Sequence, residues 1–112
     1  KILPYMRSQG FKFPALLDGE KQVGRKYRVS SVPTTFLIDP DGIIQAMEVL
    51  TPPVGRNFAE MVRQIQAYQL VRETEGAEAT PAGWTQGEET LKVGPDLVGK
   101  VWKVWKPSRE TA

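Results

Sequence analysis

The chain has 112 residues, of which 40% are hydrophobic and 25% charged, a size and composition typical of one soluble globular domain. Its formal net charge of +2 does not by itself indicate a nucleic acid or an anionic membrane as a partner. Because it contains neither cysteine nor histidine, the chain alone offers no thiolate nucleophile, no disulfide, no Ser-His triad and no Cys- or His-based metal site.

Targeting signals are absent from the sequence as it stands. No apolar run approaches the roughly 18 residues of a membrane span, and the first residues lack a secretory h-region. We therefore expect a cytoplasmic protein with no membrane contact. Because the sequence starts at Lys1 and not at Met, we also expect a segment upstream of it.

The first elements in chain order are short. The stretch "ILPYMRSQG" predicts the end of a helix that stops at Gly10, and "FKFPALLDG" predicts a strand at Phe13 to Leu17 that ends in an Asp-Gly turn. In "EKQVGRKYRV", Val23 and Tyr27 lie on one helical face among charged residues. That spacing predicts a short amphipathic helix.

A β-hairpin is predicted next. Two β-rich runs, Thr34 to Asp39 and Ile43 to Val49, are separated by "PDG", which is turn chemistry.

The longest predicted helix follows the hairpin. Asn57, with Glu60 three residues later, resembles a capping box, in which each side chain satisfies a free amide at the helix start. The helix then shows one apolar stripe, which we expect to pack on the sheet. The stripe consists of Phe58, Met61, Val62, Ile65, Tyr68 and Gln69.

The last third of the sequence changes composition at Gly76. From there to about Asp96 we predict an extended excursion that contains "EATPAGWTQGEE". Five Glu and no Lys or Arg lie between residues 73 and 89, whereas residues 91 to 112 carry a net charge of +3, so these segments are expected to attract one another or a partner. We divide the chain into residues 1–75 and an extension of residues 76–112.

Three stretches give the sequence a family resemblance. "YRVSSVPTTFLIDPDGII" resembles the thioredoxin-like superfamily around its cis-proline, and "PVGRNFAEMVRQIQAYQL", "ATPAGWTQGEE" and "GKVWKVWKP", in this order, resemble the C-terminal half of a peroxiredoxin. The peroxiredoxins are the alkyl hydroperoxide reductase and thiol-specific antioxidant family. The resemblance covers roughly Phe11 to Pro107. It implies a partial α/β thioredoxin-like fold with a C-terminal extension, whose nucleophile-bearing strand and helix lie upstream of Lys1.

Three departures from the family pattern are visible. Thr80 stands where two-cysteine peroxiredoxins have their resolving cysteine, so the chain is most like the one-cysteine group. "VPTT" at Val32 to Thr35 is closer to the disulfide-reductase branch, and the strand and helix with the peroxidatic cysteine do not occur in the sequence. Since that strand is central in the fold, we expect the isolated chain to be unstable or to aggregate.

The resemblance implies one catalytic residue and two pocket residues. Arg56 matches the family's "GR" arginine near the peroxidatic sulfur, where a permanent cation lowers a thiol pKa and planar donors hold the peroxide oxygens. Pro33 matches the cis-proline, and Thr34 follows it in the pocket wall. The alternatives are that Arg56 is a solvated residue at a helix start and that Pro33 merely opens a strand.

Two other clusters favour structural interpretations. Asp18, Asp39 and Asp41 could bind a metal ion, but turn chemistry explains all three, and we predict neither a metal nor a cofactor. In "KVWKVWK", residues 100–106, Lys and Trp alternate with a period of three, which would suit a single-stranded nucleic acid or a membrane interface. The family resemblance favours instead an arm that packs on a partner subunit.

The resemblance implies a thiol-dependent peroxidase in its intact form. Such an enzyme reduces hydrogen peroxide and organic hydroperoxides with an external thiol reductant, and it forms a homodimer or a higher oligomer through the C-terminal arm. Two alternatives stay open: a non-catalytic thioredoxin-like interaction module, and a fragment of a thiol-disulfide reductase.

Overall fold

The structure is a computed structural model that describes residues 2–107, and it has the predicted α/β character. The predicted extension continues to residue 112, so its last five residues lie outside the described range. The elements in order are α1 (Ile2–Ser8), α2 (Gln22–Lys26), β1 (Thr34–Ile38), β2 (Ile44–Val49), α3 (Phe58–Glu73), β3 (Glu78–Ala79), β4 (Leu91–Lys92), a 3₁₀ turn (Pro95–Leu97) and α4 (Val101–Val104). The strands form two separate antiparallel pairs, β1 with β2 and β3 with β4. No helix between residues 2 and 107 is long and apolar enough to cross a membrane.

The segment after α1 differs from the prediction. Helix α1 does end before Gly10, whose positive φ of 72° suits a helix stop. The predicted strand at Phe13 to Leu17 is wrong, because the segment is irregular and the Leu16 side chain is 97% exposed. A strand needs a neighbour to accept and donate backbone hydrogen bonds, and no segment within residues 2–107 lies alongside this one.

Helix α2 and the hairpin confirm the predictions. Asp18 accepts hydrogen bonds from the amides of Val23 (3.2 Å) and Gly24 (2.8 Å), so the Asp-Gly turn leads directly into α2. In the hairpin, Asp39 accepts from the amides of Asp41 and Ile43, both at 2.9 Å, and so shapes the turn. The β1–β2 pairing runs from Thr34 opposite Val49 to Ile38 opposite Ile44, with an irregularity after Leu37.

The start of helix α3 confirms half of the predicted capping box. The Asn57 side chain accepts from the Glu60 amide at 3.1 Å, and α3 begins at the next residue, Phe58. The reciprocal contact is absent from the described hydrogen bonds. The Glu60 carboxylate instead accepts from the guanidinium of Arg63, a stronger, charge-assisted donor.

The buried face of α3 is not the predicted one. Within the predicted stripe, Phe58 is 67% exposed, Val62 53% and Ile65 41%. The face that contains the buried Ala67 is covered instead. The loop of residues 80–90, here called the Trp84 loop, is attached to α3 by hydrogen bonds from Arg63 and Gln66. Strands β3 and β4 close this loop at its base, and its Trp84 is 2% exposed.

The C-terminal half of the predicted stripe, from Ile65 to Gln69, lines an open groove between α3 and the hairpin. The groove has a volume of about 840 Å³ and is lined by Phe36 and Ile38 on β1 and by Ile65 and Tyr68 on α3. At one end, Arg72 of α3 forms an ion pair with Asp41 in the hairpin turn at 2.5 Å and lies 3.9 Å from Asp39. The sheet therefore approaches α3 without filling the space between them.

Candidate functional site

The hairpin end opposite its turn carries Pro33 and Thr34. The Val32–Pro33 peptide bond is cis, as the family resemblance implied, and both Pro33 and Thr34 are half-buried. The Thr34 hydroxyl donates to the Ser31 carbonyl at 2.7 Å, and the Leu50 amide donates to the Pro33 carbonyl at 3.2 Å. The loop that leaves β2 therefore starts directly beside Pro33.

Arg56 lies at the far end of that loop. The Val54 amide donates to the Thr51 carbonyl at 2.8 Å, which forms a turn, and Arg56 then immediately precedes the capping residue Asn57. Its side chain is exposed, and none of the hydrogen bonds and ion pairs found among residues 2–107 involves its guanidinium. The same loop thus joins Pro33 to Arg56, and it leaves a permanent cation free to meet an anionic or polar group.

An ion pair one turn into α3 was not foreseen from the sequence. Arg63 Nε donates to Glu60 Oε2 at 2.6 Å, and Nη2 donates to Oε1 at 2.7 Å, a bidentate arrangement. The Arg63 side-chain hydrogen bonds lower the pKa of Glu60 to about 2, and the same contacts raise the pKa of Arg63. Arg63 Nη1 also donates to the Trp84 carbonyl at 3.2 Å. The Glu-x-x-Arg spacing could have indicated the pair, but nothing local indicates the contact to Trp84.

A second unforeseen residue is Glu48 on β2. It lies opposite Thr35 in the hairpin, and its Oε2 atom is buried without a hydrogen-bond partner in the described part of the chain. A buried carboxylate oxygen without a donor requires an explanation in a native fold. The sequence could have predicted this burial, because alternation along a strand places residue 48 on the same side of β2 as the apolar Ala46.

The three aspartates serve as turn residues. The hydrogen bond from the Gly24 amide is the main cause that lowers the pKa of Asp18. The hydrogen bond from the Ile43 amide is the main cause that lowers the pKa of Asp39. Asp41 accepts from Arg72. The interpretation as turn chemistry is confirmed for Asp18 and Asp39, and no group of three His, Cys, Asp or Glu side chains within residues 2–107 is placed to hold a metal ion.

The Lys-Trp stretch forms one helical turn, α4, near the end of the described chain. Trp102 is 65% exposed, and the Lys103 ammonium lies 5.3 Å from the centre of its ring. The Trp102 indole donates to the Gly99 carbonyl at 3.2 Å. An apolar surface with cations at its rim is therefore open at this end of the extension.

Two family models match the chain. The AhpC/TSA family matches residues 1–47, and the C-terminal domain of 1-Cys peroxiredoxin matches residues 67–106. The first model covers the cis-proline, and the second covers the C-terminal part of α3 from residue 67, the Trp84 loop and α4.

Similar proteins agree with these matches. The selenocysteine-containing peroxiredoxin PrxU of Peptoclostridium acidaminophilum is 55% identical over 92% of this chain and 54% of its own length. Alkyl hydroperoxide reductase C of Amphibacillus xylanus is 40% identical over 75% of this chain and 47% of its own length. The chain thus spans about half the length of the curated relatives it matches.

Solved structures give the same result at the level of the fold. A reduced 2-Cys peroxiredoxin of Plasmodium vivax superposes on 69% of this chain with a TM-score of 0.60 and 29% identity, covering 42% of that protein. A cysteine-to-serine mutant of peroxiredoxin 6 from Arenicola marina superposes on 98% of this chain, and on 59% of its own, with a TM-score of 0.61. Its identity is 19%, so this second likeness concerns the fold alone.

Proposed function

This chain belongs to the peroxiredoxin family, and from that premise we propose that it is part of a thiol-dependent peroxidase that reduces hydrogen peroxide and organic hydroperoxides. Its fold is a partial thioredoxin-like fold with a C-terminal extension. Because none of the 112 residues is a cysteine, the peroxidatic thiol has to come from a segment outside this sequence.

The reaction assigns a clear task to Arg56. A cysteine thiolate attacks one peroxide oxygen, the O–O bond breaks, and water or an alcohol leaves with the other oxygen and a proton. The sulfur is oxidised to a sulfenic acid. Two thiol groups of an external reductant then return it to the thiol, and they are themselves oxidised to a disulfide with loss of water. A guanidinium next to the sulfur favours the thiolate and stabilises the negative charge that moves onto the departing oxygen.

The observation that supports this proposal is the placement of Arg56. Its guanidinium is exposed and lies outside the ion pairs of the described residues, at the end of a loop that starts beside the cis-proline Pro33. A cation just before a helix N-terminus is mildly unfavourable, by about 0.3–1 kcal/mol, so a surface role alone would not favour arginine there. We assign Pro33 and Thr34 to the wall of the peroxide-binding pocket that we propose beside Arg56.

The proposal includes the assembly. The open aromatic and cationic surface around α4 supports a homodimer or higher oligomer formed through the extension of residues 76–112. Thr80, in place of a second cysteine, supports a one-cysteine mechanism that relies on the external reductant. The cytoplasm is the expected location.

The test is a peroxide-consumption assay with a dithiol reductant. This chain would be compared with a fusion in which it follows the cysteine-bearing first half of an alkyl hydroperoxide reductase C. We expect activity only in the fusion, and we expect Arg56→Ala to lower its kcat/KM by about 100- to 1000-fold, as for other transition-state donors. Arg72→Ala, on a paired arginine of the same α3 helix, is the matched control.

Two outcomes would refute the peroxidase proposal. One is a fusion that has the circular dichroism of a folded α/β protein and consumes no peroxide. The other is an Arg56→Ala variant that is as active as the parent. Either result would favour the alternative of a non-catalytic interaction module.

A further inference from the structure

We propose that Arg63 is a positioning residue, which holds Arg56 in place by joining the first turn of α3 to the Trp84 loop. This inference rests on the proposed function, because it explains how the backbone that carries Arg56 is held. It links the C-terminal extension to the reaction through contacts within one chain.

The first step is the geometry of Arg63 itself. Two of its nitrogens donate to the two carboxylate oxygens of Glu60, at 2.6 and 2.7 Å, and the third donates to the Trp84 carbonyl at 3.2 Å. The Arg63 side chain is only 22% exposed, so the guanidinium is well shielded from solvent. A lysine has a single ammonium group at that distance and cannot make a bidentate contact and a separate third contact in one plane.

The second step is the rigidity of the loop that Arg63 holds. Trp84 is 2% exposed, and its indole donates to the Glu88 carbonyl at 3.1 Å. The Thr85 amide donates to the Glu88 carboxylate at 2.8 Å, and Gln86 accepts from Gln66 of α3 at 3.2 Å. Hydrogen bonds therefore close the loop on itself and attach it to α3. The Trp84 carbonyl, which accepts from Arg63, is consequently held in a fixed position.

The third step leads from Glu60 to Arg56. Glu60 supplies the amide that the Asn57 side chain caps at 3.1 Å, and Asn57 directly follows Arg56. Holding the Glu60 side chain fixes the first turn of α3, and the capped turn fixes the backbone from which Arg56 projects. A displacement of about 1 Å in a group that orients the reacting atoms costs up to about 100-fold in rate.

The test is a double-mutant cycle in the fusion described above. We expect Arg63→Met to lower kcat/KM by about 10- to 100-fold in the parent and by less than about twofold in the Arg56→Ala background, because its effect is transmitted through Arg56. Arg63→Lys should keep only part of the activity. Arg72→Met, on the same helix, should change kcat/KM by less than about twofold.

A second measurement uses the same fusion and does not depend on its activity. Arg63→Met should speed hydrogen exchange of the Glu60 amide about tenfold, whereas Arg72→Met should leave it unchanged. Trp84→Phe keeps an aromatic side chain but removes the indole N–H that donates to the Glu88 carbonyl, and it should give a smaller change in the same direction. If the Arg63→Met fusion does not fold, Arg63→Lys supplies the same readout, with a smaller change in the same direction.

The outcomes separate this inference from the proposed function. If Arg56→Ala leaves activity unchanged, the proposed function is wrong. If Arg56→Ala lowers activity and Arg63→Met lowers it by the same factor in both backgrounds, Arg63 acts only on general stability and the inference is wrong. Unchanged exchange of the Glu60 amide in Arg63→Met would also refute it.

Discussion

Two regions of this chain contain similar proportions of apolar residues and pack very differently. In residues 58–92, Trp84 is 2% exposed, Ala67 is 8% exposed, and Arg63 connects the helix to the loop. In residues 11–33, Phe13 is 62% exposed, Leu16 97% and Val32 73%. In the first region a helix and a loop pack on each other. In the second region the backbone is held mainly by hydrogen bonds between residues close in sequence, and the apolar side chains are exposed.

The difference shows that apolar content alone does not produce a core. Helix α3 is packed where the Trp84 loop offers a complementary surface, and it is open where the groove of about 840 Å³ separates it from the hairpin. Residues 11–33 contact the hairpin through Tyr27, whose ring centre lies 4.9 Å from that of Phe36, whereas their other large apolar side chains are exposed. Their exposure agrees with the chain spanning about half the length of its curated relatives.

The largest expected effect comes from removing the centre of the packed region. Trp84→Ala should lower the free energy of unfolding by about 3–5 kcal/mol, because a fully buried indole is lost and a cavity remains. Denaturant unfolding followed by circular dichroism measures the change. The matched control is Trp102→Ala, whose ring is 65% exposed and which should change stability by less than about 0.5 kcal/mol. Equal losses in both variants would contradict the comparison.

A smaller effect is expected from the ion pair in the same region. The pKa of Glu60 falls from 4.5 to about 2 on folding, so its carboxylate stabilises the fold above pH 4.5, and this stabilisation is lost as the pH falls toward 2. Since Glu60 is 39% exposed, solvent screening reduces the contribution to about 1 kcal/mol.

The corresponding measurement is the unfolding midpoint as a function of pH. In Glu60→Gln, the midpoint should be lower than in the parent at pH 7, and the difference should disappear toward pH 2. Glu73→Gln, near the C-terminal end of the same helix, is the control. A constant difference between parent and Glu60→Gln at all pH values would show that the ion pair does not cause it.

The smallest effect on stability is expected in the open region. Leu16→Ser should change the free energy of unfolding of this chain by less than about 0.5 kcal/mol, because the side chain is already 97% exposed. It should also reduce self-association, measured by sedimentation, since an exposed apolar side chain is removed. A loss above about 1 kcal/mol would show that Leu16 is packed in solution.

Features that depend on a few neighbouring residues could be predicted from the amino-acid sequence. The Asp39 turn, the hairpin strands, the Asn57 cap and the stop at Gly10 all follow from short-range hydrogen bonding and backbone preference. The motifs around "VPTTFLID" and "ATPAGW" also sufficed to identify the family. The roles of Arg56, Pro33 and Thr34 stay predictions from that resemblance, and the peroxide-consumption assay of the Arg56→Ala fusion tests the first of them.

The surfaces that contact each other could not be predicted from local sequence patterns. The apolar stripe of α3 predicted burial on the sheet, yet the Trp84 loop covers the opposite face, and the Arg63 contact to the Trp84 carbonyl spans 21 residues. The segment Phe13 to Leu17 has strand composition but no neighbour in the described chain. Periodicity reports which side chains favour burial, whereas burial itself requires a complementary surface, and that surface comes from residues distant in the sequence.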